Sequence, residues 1–355
     1  MPDYTKNILF TAYYLNYFSG SQIHVFEMAE YLSQKDGNVQ IYIVSPNISD
    51  EIALLAQKKK FFLFRPDELP RHIIYDIVFA LHSPVLSFLL GTSLKYKKII
   101  NVILSPFAEL EKPAPFHRQL SLLVANSEET KQKLIETDKI PEHKIFVLPN
   151  FLPDNFIGKA AANPKLKRIA VISNHVPDEL KLLPGFFKDT IVDFIGIEYA
   201  QKQVSPKLLS QYDLIISIGK TVQYSLGMCI PIYEYDKFGG CGYINLGNFN
   251  KEASQNFSGR ATRRKLSAAE IADEIKNGYQ KAVGERAALQ KAAVRLFSIH
   301  NIDTLMSFIS QLPDTPEINV GKQSYLPLWL VRFLSCFIPV KKARQNFRRK
   351  YRRRV

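Results

Sequence analysis

Residues 7–32 of the chain read NILFTAYYLNYFSGSQIHVFEMAEYL. Residues 7–12 predict a strand, and residues 13–20 predict a loop that follows it. From Ser21 onward, apolar residues recur every three or four positions, which predicts a helix. The same order of apolar run, loop and helical pattern recurs along the chain. It is typical of βαβ units with a mostly parallel sheet.

This pattern predicts two sets of strands separated by a break near Asn150. The predicted strands are 7–12, 39–44, 61–64, 76–81, 99–104, 122–125 and 145–148 before the break, and 168–173, 191–195, 214–218 and 230–235 after it. Residues 149–164 combine proline, glycine and asparagine with little periodicity and predict a linker. Two helices, 267–281 and 285–309, are predicted after the last strand.

We therefore predict an α/β fold with two Rossmann-like domains that face a cleft. The first domain is expected at 1–155, the second at 156–310, and a linker with a basic tail at 311–355. Ligands of such sheets bind beyond the carboxyl ends of the strands. The loops that follow the strands are therefore the candidate binding segments.

The composition is that of an ordinary globular protein, with 46% hydrophobic and 23% charged residues in 355. The first six residues do not form a signal-peptide pattern, and no apolar run reaches the roughly 18 residues that span a bilayer. We expect a chain that is neither exported nor membrane-spanning. The three cysteines, Cys229, Cys241 and Cys336, lack metal-ligand spacing with histidine and indicate a reducing cytoplasm.

Polar residues follow three predicted strands of the second domain. The candidate donor-binding residues there are Asn174, His175, Gly196, Gly219, Lys220, Thr221 and Gln223. A lysine, a hydroxyl and free amides at a helix start suit a diphosphate. The segment is not a P-loop, because Leu214 stands where that motif has its first glycine. The structural alternatives are a helix cap by Asn174, a surface histidine, and an exposed lysine on a capped helix.

The last strand of the second domain is followed by Gly239 and Gly240, which predict a glycine-rich loop that approaches a ligand closely. Asp236 and Glu234 can accept hydrogen bonds from hydroxyls or act as a base. Arg260 is a candidate phosphate ligand. In the first domain, the loop Ser19, Gly20 and Ser21 is expected to face the cleft. The structural alternative for the glycine-rich loop is a flexible turn, and the alternative for the segment of Arg260 is a surface loop. The alternative for Ser19, Gly20 and Ser21 is an ordinary βα turn.

These segments together resemble family 4-like, retaining glycosyltransferases of the two-domain GT-B fold. The resemblance covers most of residues 7–300. More narrowly, the segments resemble bacterial enzymes that build lipopolysaccharide or capsule. It rests on the strand, loop and helix of 7–32, on Val124-Ala125-Asn126-Ser127 before a helix, on Val147-Leu148-Pro149-Asn150, and on segments 218–224 and 230–242.

The resemblance implies a nucleotide-sugar donor on the second domain and an acceptor on the first. Lys220, Asp236 and Arg260 would then be catalytic, with Lys220 and Arg260 stabilising the departing diphosphate. The chain has no Asp-x-Asp, so we expect no metal and no cofactor. It departs from the family's pair of donor-site glutamates, whose positions fall at Ile216 and Tyr224. Either other residues serve the donor here or activity is lost, and the retaining outcome stays open.

Residues 323–355 combine apolar and aromatic side chains with nine Lys and Arg residues and no acid after position 340. This pattern predicts docking on an anionic membrane surface. We expect a cytoplasmic protein, peripheral on the inner membrane face, with a lipid-linked saccharide as acceptor. The alternatives for the segment are a helix packed on the body and a nucleic-acid contact. We expect no nucleic-acid partner, because the body shows no nucleic-acid module.

Two other functions fit the same sequence. One is an enzyme that acts on a nucleotide sugar alone, as an epimerase does. The other is a degenerate, non-catalytic protein of the glycosyltransferase fold that serves as a scaffold at the membrane.

Overall fold

The computed structural model describes residues 5–16, 20–158, 163–199 and 203–318. The predictions for Ser19 and for the tail 323–355 lie outside the described residues. The described residues form two compact units. One holds the residues up to Val25, Leu32–Val124 and 311–318, and the other holds Phe26–Tyr31 and Ala125–Ser310. The domain boundaries at 155 and 310 stay a prediction.

The first sheet has seven strands in the order β3-β2-β1-β4-β5-β6-β7. Their bounds are β1 Lys6–Thr11, β2 Val39–Val44, β3 Phe62–Phe64, β4 Ile74–Ala80, β5 Lys95–Ile103, β6 Leu122–Ala125 and β7 Ile145–Val147. The pairs from β3 to β5 are all parallel. Strand β1 lies inside this sheet and its last four residues are buried, which explains its nearly continuous apolar sequence.

The helices that connect these strands follow the predicted βαβ order. They are α1 Gly20–Lys35, α2 Asp50–Lys58, α3 Ser83–Gly91 and α4 Glu128–Glu136. Short 3-10 turns lie at Glu109–Glu111, His117–Gln119, Glu142–Lys144 and Asp154–Phe156. Helices α2 and α4 begin where the sequence offers a serine cap, because Ser49 and Ser127 each accept a backbone N–H from the first turn.

The second sheet has five strands in the order β12-β11-β10-β8-β9. Their bounds are β8 Arg168–Ile172, β9 Ile191–Ile195, β10 Leu214–Ser217, β11 Ile232–Asp236 and β12 Gly239–Tyr243. Strands β8 to β11 pair in parallel, and β12 returns antiparallel to β11. The parallel strands therefore bring their carboxyl ends to one edge of the sheet.

The helices around this sheet are α5 Asp178–Lys181, α6 Pro206–Leu209, α7 Lys220–Gly227, α8 Phe249–Ser254, α9 Ala268–Phe297 and α10 Asn301–Gln311, with a 3-10 turn at Leu183–Phe186. Helix α9 packs Ile271 and Ile275 against alternate residues of the strands, among them Val171 and Ile216. Its start is set by a capping box in which Ser267 and Glu270 bond to each other's backbone N–H.

The structure corrects the helix boundaries predicted after the last strand. Instead of a break near residue 283, α9 runs unbroken for 30 residues through Gly284 and ends at Phe297. A glycine within a helix weakens it but does not stop it, since the loss is only about 1 kcal/mol. The break comes at Ser298, whose ψ of 132° is not helical.

Among the described residues, none of the helices combines the length and the apolar character that crossing a membrane requires. The predicted α/β fold with two sheets is confirmed, with β12 as an added antiparallel strand.

Candidate functional site

The carboxyl edge of the second sheet brings Ser173, which follows β8, next to Asp236, which ends β11. The Ser173 hydroxyl donates to Asp236 Oδ2 at 3.0 Å, and the Lys237 N–H donates to Oδ1 at 2.6 Å. Asp236 is buried, and this burial raises the pKa of its carboxyl despite both hydrogen bonds. The pair can accept from a ligand hydroxyl at the edge, and the role of Asp236 in binding or catalysis stays a prediction.

Gly196 follows β9 and permits the close approach of two backbone segments. Its φ is +154°, and a Cβ there would lie 1.9 Å from the Ser173 carbonyl oxygen. Asn174 and His175 are exposed beside it. Helix α5 begins only at Asp178, so Asn174 does not cap it. His175 donates its N–H to Ser173 Oγ, and its Nδ1 lies 3.8 Å from Glu198 Oε1.

Gly219 connects β10 to α7 and is the N-cap of that helix, with φ +63° and ψ −133°. Its N–H donates to the Phe257 carbonyl at 2.6 Å. Because α7 begins just after the carboxyl end of β10, which is parallel to β8 and β11, the helix start lies at the same edge as Ser173 and Asp236. The first amides of a helix lack partners within it and favour an anion.

Lys220 is the first residue of α7, and its ammonium forms an ion pair with Glu27 of α1. Both side chains are largely buried, and the Tyr224 hydroxyl donates to the same carboxylate. The Lys220 Nζ also lies 5.3 Å from the Phe151 ring centre and 5.5 Å from that of Tyr224. Burial raises the pKa of Glu27, while Lys220 lowers it. The lysine is thus neither the exposed cation of the structural alternative nor free of a counter-ion.

Gln223, on the next turn of α7, is fully buried. Its Nε2 donates to Asn256 Oδ1 at 3.3 Å, an oxygen that also accepts from Asn150 Nδ2 at 2.9 Å. The Gln223 Oε1 atom is buried without a hydrogen-bond partner. Thr221, its neighbour in the predicted donor set, is half-buried.

The predicted glycine-rich loop at Gly239 and Gly240 is wrong, because both residues belong to strand β12. A Cβ on Gly240 would lie 1.8 Å from the Glu234 carbonyl oxygen, and one on Gly239 would lie 2.3 Å from that of Arg264. These glycines are therefore required by backbone packing against two neighbouring segments. The close backbone approach that the sequence predicts toward a ligand is made instead to the protein's own backbone.

Arg260 makes a two-pronged contact with the carboxylate of Glu129. Its Nε donates to Oε1 at 3.0 Å and its Nη2 to Oε2 at 2.5 Å, with both side chains largely buried. A phosphate at Arg260 would have to replace this carboxylate. Glu129 and Glu27 were not predicted for the site. The available signal was an acid within the apolar stretch that surrounds Glu27 in α1.

The structure thus groups Ser173, Gly196, Gly219 and Asp236 at one edge. Lys220 forms an ion pair with Glu27, and Arg260 forms one with Glu129. Gly20 begins α1, and the Ser21 hydroxyl donates to Gln22 Oε1 at 3.3 Å. The sequence predicts a loop at Gly20 and Ser21, and the structure places both residues in the first turn of a helix instead.

The sequence matches no protein-family model and no curated protein. Solved structures of similar fold are found. A glycosyltransferase from Rickettsia africae ESF-5 has a TM-score of 0.59 at 13% identity, over 86% of this chain and 99% of that chain. Anabaena Alr3699/HepE, in complex with UDP and glucose, has a TM-score of 0.60 at 11% identity over the same shares.

A mutant of S. aureus TarM, in complex with fondaparinux, alpha-GlcNAc-glycerol and UDP, has a TM-score of 0.58 at 10% identity, over 86% of this chain and 99% of that chain. At these identities the likeness concerns the fold. The chain has the GT-B fold of glycosyltransferases.

Proposed function

We propose that the protein is a glycosyltransferase that binds a nucleotide sugar at the carboxyl edge of its second sheet. The observation that carries the proposal is the grouping of Ser173, Gly219 and Asp236 at that edge, in a chain with the GT-B fold. The start of α7 offers amides for a diphosphate, and Asp236 with Ser173 offers acceptors for sugar or ribose hydroxyls.

The proposed mechanism has Lys220 exchange Glu27 for the diphosphate when the donor binds. A desolvated ammonium beside the departing diphosphate stabilises the charge that develops as the bond to the sugar breaks. Arg260 would make the same exchange with Glu129. We propose that the transfer needs neither Mg²⁺ nor Mn²⁺, because these two cations can meet the phosphate charge.

Uridine diphosphate is the first nucleotide to test, since the solved structures of Anabaena HepE and S. aureus TarM contain UDP. We expect UDP to raise the melting temperature of the full chain more than GDP, ADP or CMP. A ligand that binds only the folded state stabilises it by about 2.7 kcal/mol at a hundredfold excess over Kd. A cooperative melt that none of the four nucleotides shifts would contradict the proposal.

We further propose that the acceptor is a lipid-linked saccharide of cell-surface polysaccharide synthesis, used at the cytoplasmic face of the inner membrane. The support is the charge and aromatic content of 323–355, because apolar insertion and a polybasic segment together give firm attachment.

Deleting residues 323–355 will release the protein from anionic membranes. The measurement is sedimentation with vesicles that contain phosphatidylserine, beside vesicles of neutral lipid as the control. Full-length protein should pellet with the anionic vesicles and detach as salt screens the charges. If the shortened chain pellets as well as the full chain does, the membrane proposal fails and the sugar-transfer proposal is unaffected.

A second candidate function is a non-catalytic scaffold of the same fold. It is favoured by the pairing of Lys220 with Glu27 and of Arg260 with Glu129, since each candidate cation already has a counter-ion. The absence of acids at positions 216 and 224 supports the same candidate. The nucleotide screen separates the two functions, because a scaffold need not bind UDP.

A further inference from the structure

Three side chains from different elements of the second unit converge below the candidate site. Glu234 belongs to β11, Cys241 to β12 and Glu252 to α8. One potential ligand atom of each lies within 4.8 Å of the other two. Both carboxylates are fully buried, and the thiol is partly buried. The cluster is separate from the contacts of Lys220 and Asp236.

Each carboxylate is fixed through one oxygen and unsatisfied at the other. Glu234 Oε1 accepts the Gly259 N–H at 2.8 Å, and Glu252 Oε1 accepts the Thr262 hydroxyl at 2.5 Å. The Oε2 atoms of both residues are buried and have no hydrogen-bond partner. Leaving such an oxygen unpaired costs about 1–3 kcal/mol, and more when the group is charged.

The nearest cation among the described contacts is Arg264, whose Nη2 donates to the Cys241 carbonyl at 3.1 Å and whose ion pair is with Glu274. No Lys, Arg or His in the described part of the chain forms a salt bridge with Glu234 or Glu252, although other acids of the unit have such partners. Two buried carboxylates need either protons or a cation between them.

We propose that Glu234, Cys241 and Glu252 bind a divalent metal ion, for which the donor atoms select Zn²⁺. A thiolate favours zinc over magnesium or calcium, and carboxylate oxygens are accepted as its further ligands. The surroundings suit ligation, since Gly259 and Thr262 orient the two carboxylates. Asn248 Nδ2 donates to the Cys241 sulfur at 3.4 Å.

The ion would have a structural role at the candidate site. It would join β11, β12 and α8, and Glu234 would hold the loop 257–260 through the Gly259 N–H. In the same loop the Phe257 carbonyl accepts the Gly219 N–H at the start of α7. The expectation of no metal rested on the absence of an Asp-x-Asp sequence, and the three proposed ligands do not depend on such a sequence.

Metal analysis of the full-length protein, purified without chelator or histidine tag, tests the proposal. We expect one Zn²⁺ per chain. After the metal is stripped, Co²⁺ should restore a near-ultraviolet thiolate-to-cobalt absorption band. Cys241→Ser should remove that band and weaken Zn²⁺ binding at least about tenfold, the lower end of the effect of disturbing a metal site's surroundings. Glu252→Gln should weaken Zn²⁺ binding similarly.

Cys229→Ser is the matched control, since it removes a buried thiol that does not belong to the cluster and should leave both readouts unchanged. Zn²⁺ binding that is equally tight in Cys241→Ser would overturn the proposal. So would a stripped, folded wild-type chain that Zn²⁺ does not stabilise and in which Co²⁺ gives no thiolate band. The two carboxyls would then share a proton. If the variants fail to fold, the wild-type Co²⁺ spectrum decides the question. None of these readouts depends on nucleotide binding.

Discussion

Lys220→Ala will lower the rate of sugar transfer about 10²–10³-fold, the loss typical of removing one group that stabilises charge in a transition state. The lysine is the first residue of α7, at the edge where Gly219 presents the helix start. Its aromatic neighbours Phe151 and Tyr224 keep water from the ammonium. An ammonium in such surroundings acts on a diphosphate with little screening. The measurement is kcat/KM with the donor that the nucleotide screen identifies.

The single variant has a side effect on folding that must be separated from catalysis. Removing Lys220 leaves Glu27 buried without its cation, and breaking a buried ion pair on one side costs about 3–5 kcal/mol. The double variant Lys220→Met with Glu27→Gln removes both charges, and the Tyr224 hydroxyl can still donate to the glutamine. We expect this variant to melt near the wild-type temperature and still lose transfer.

Lys181→Ala is the matched control for loss of a lysine, because Lys181 is exposed and forms its ion pair with Asp178 on its own helix. Its activity should equal that of the wild type. Wild-type transfer in the folded double variant would contradict the catalytic role of Lys220. That result would not contradict the GT-B fold or the proposed nucleotide site.

Eleven of the twelve described strands could be predicted, because most of them contain a buried apolar run. Strands β2, β6 and β9 have the predicted bounds, and the other eight predicted strands differ by a few residues at their ends. Such runs carry their own signal, since a strand buried on both faces needs apolar side chains at every position. The same residues also located the edge at which Ser173, Gly219 and Asp236 meet.

The partners of the charged site residues could not be predicted. Glu27 and Lys220 lie almost two hundred positions apart in the sequence, and nothing local marks either as half of a pair. Lys220 at a helix start reads equally well as a phosphate ligand or a surface lysine. Only the packing of α1 against α7 decides that it is buried with a carboxylate.

The strand β12 was missed for a different reason. Glycine is depleted in strands because it loses more backbone entropy and packs no side chain, so the three glycines at 239, 240 and 242 favour a loop. Here the need for residues without a side chain outweighs the low strand propensity of glycine. The backbone of β12 comes so close to Glu234 and Arg264 that a side chain would not fit.

Gly240→Ala will therefore destabilise the protein strongly, on the order of 3 kcal/mol or more, at the upper end of the cost of overpacking a core. The new methyl would lie 1.8 Å from the Glu234 carbonyl oxygen and 2.6 Å from its carbon. Both are backbone atoms of the paired strand, so no side chain can move aside. Strand β12 would have to separate from β11, which also disturbs the Glu234 and Cys241 ligands of the proposed metal site.

Gly284→Ala is the matched control and should act in the opposite direction. Gly284 lies within α9, and a Cβ there would meet no atom within 4 Å. Replacing a helical glycine with alanine gains about 0.5–1 kcal/mol, since alanine loses less backbone entropy on folding. Urea denaturation of both variants measures the difference. A Gly240→Ala midpoint equal to the wild type would mean that the strand yields at little cost, and the packing argument for the glycines of β12 would fail.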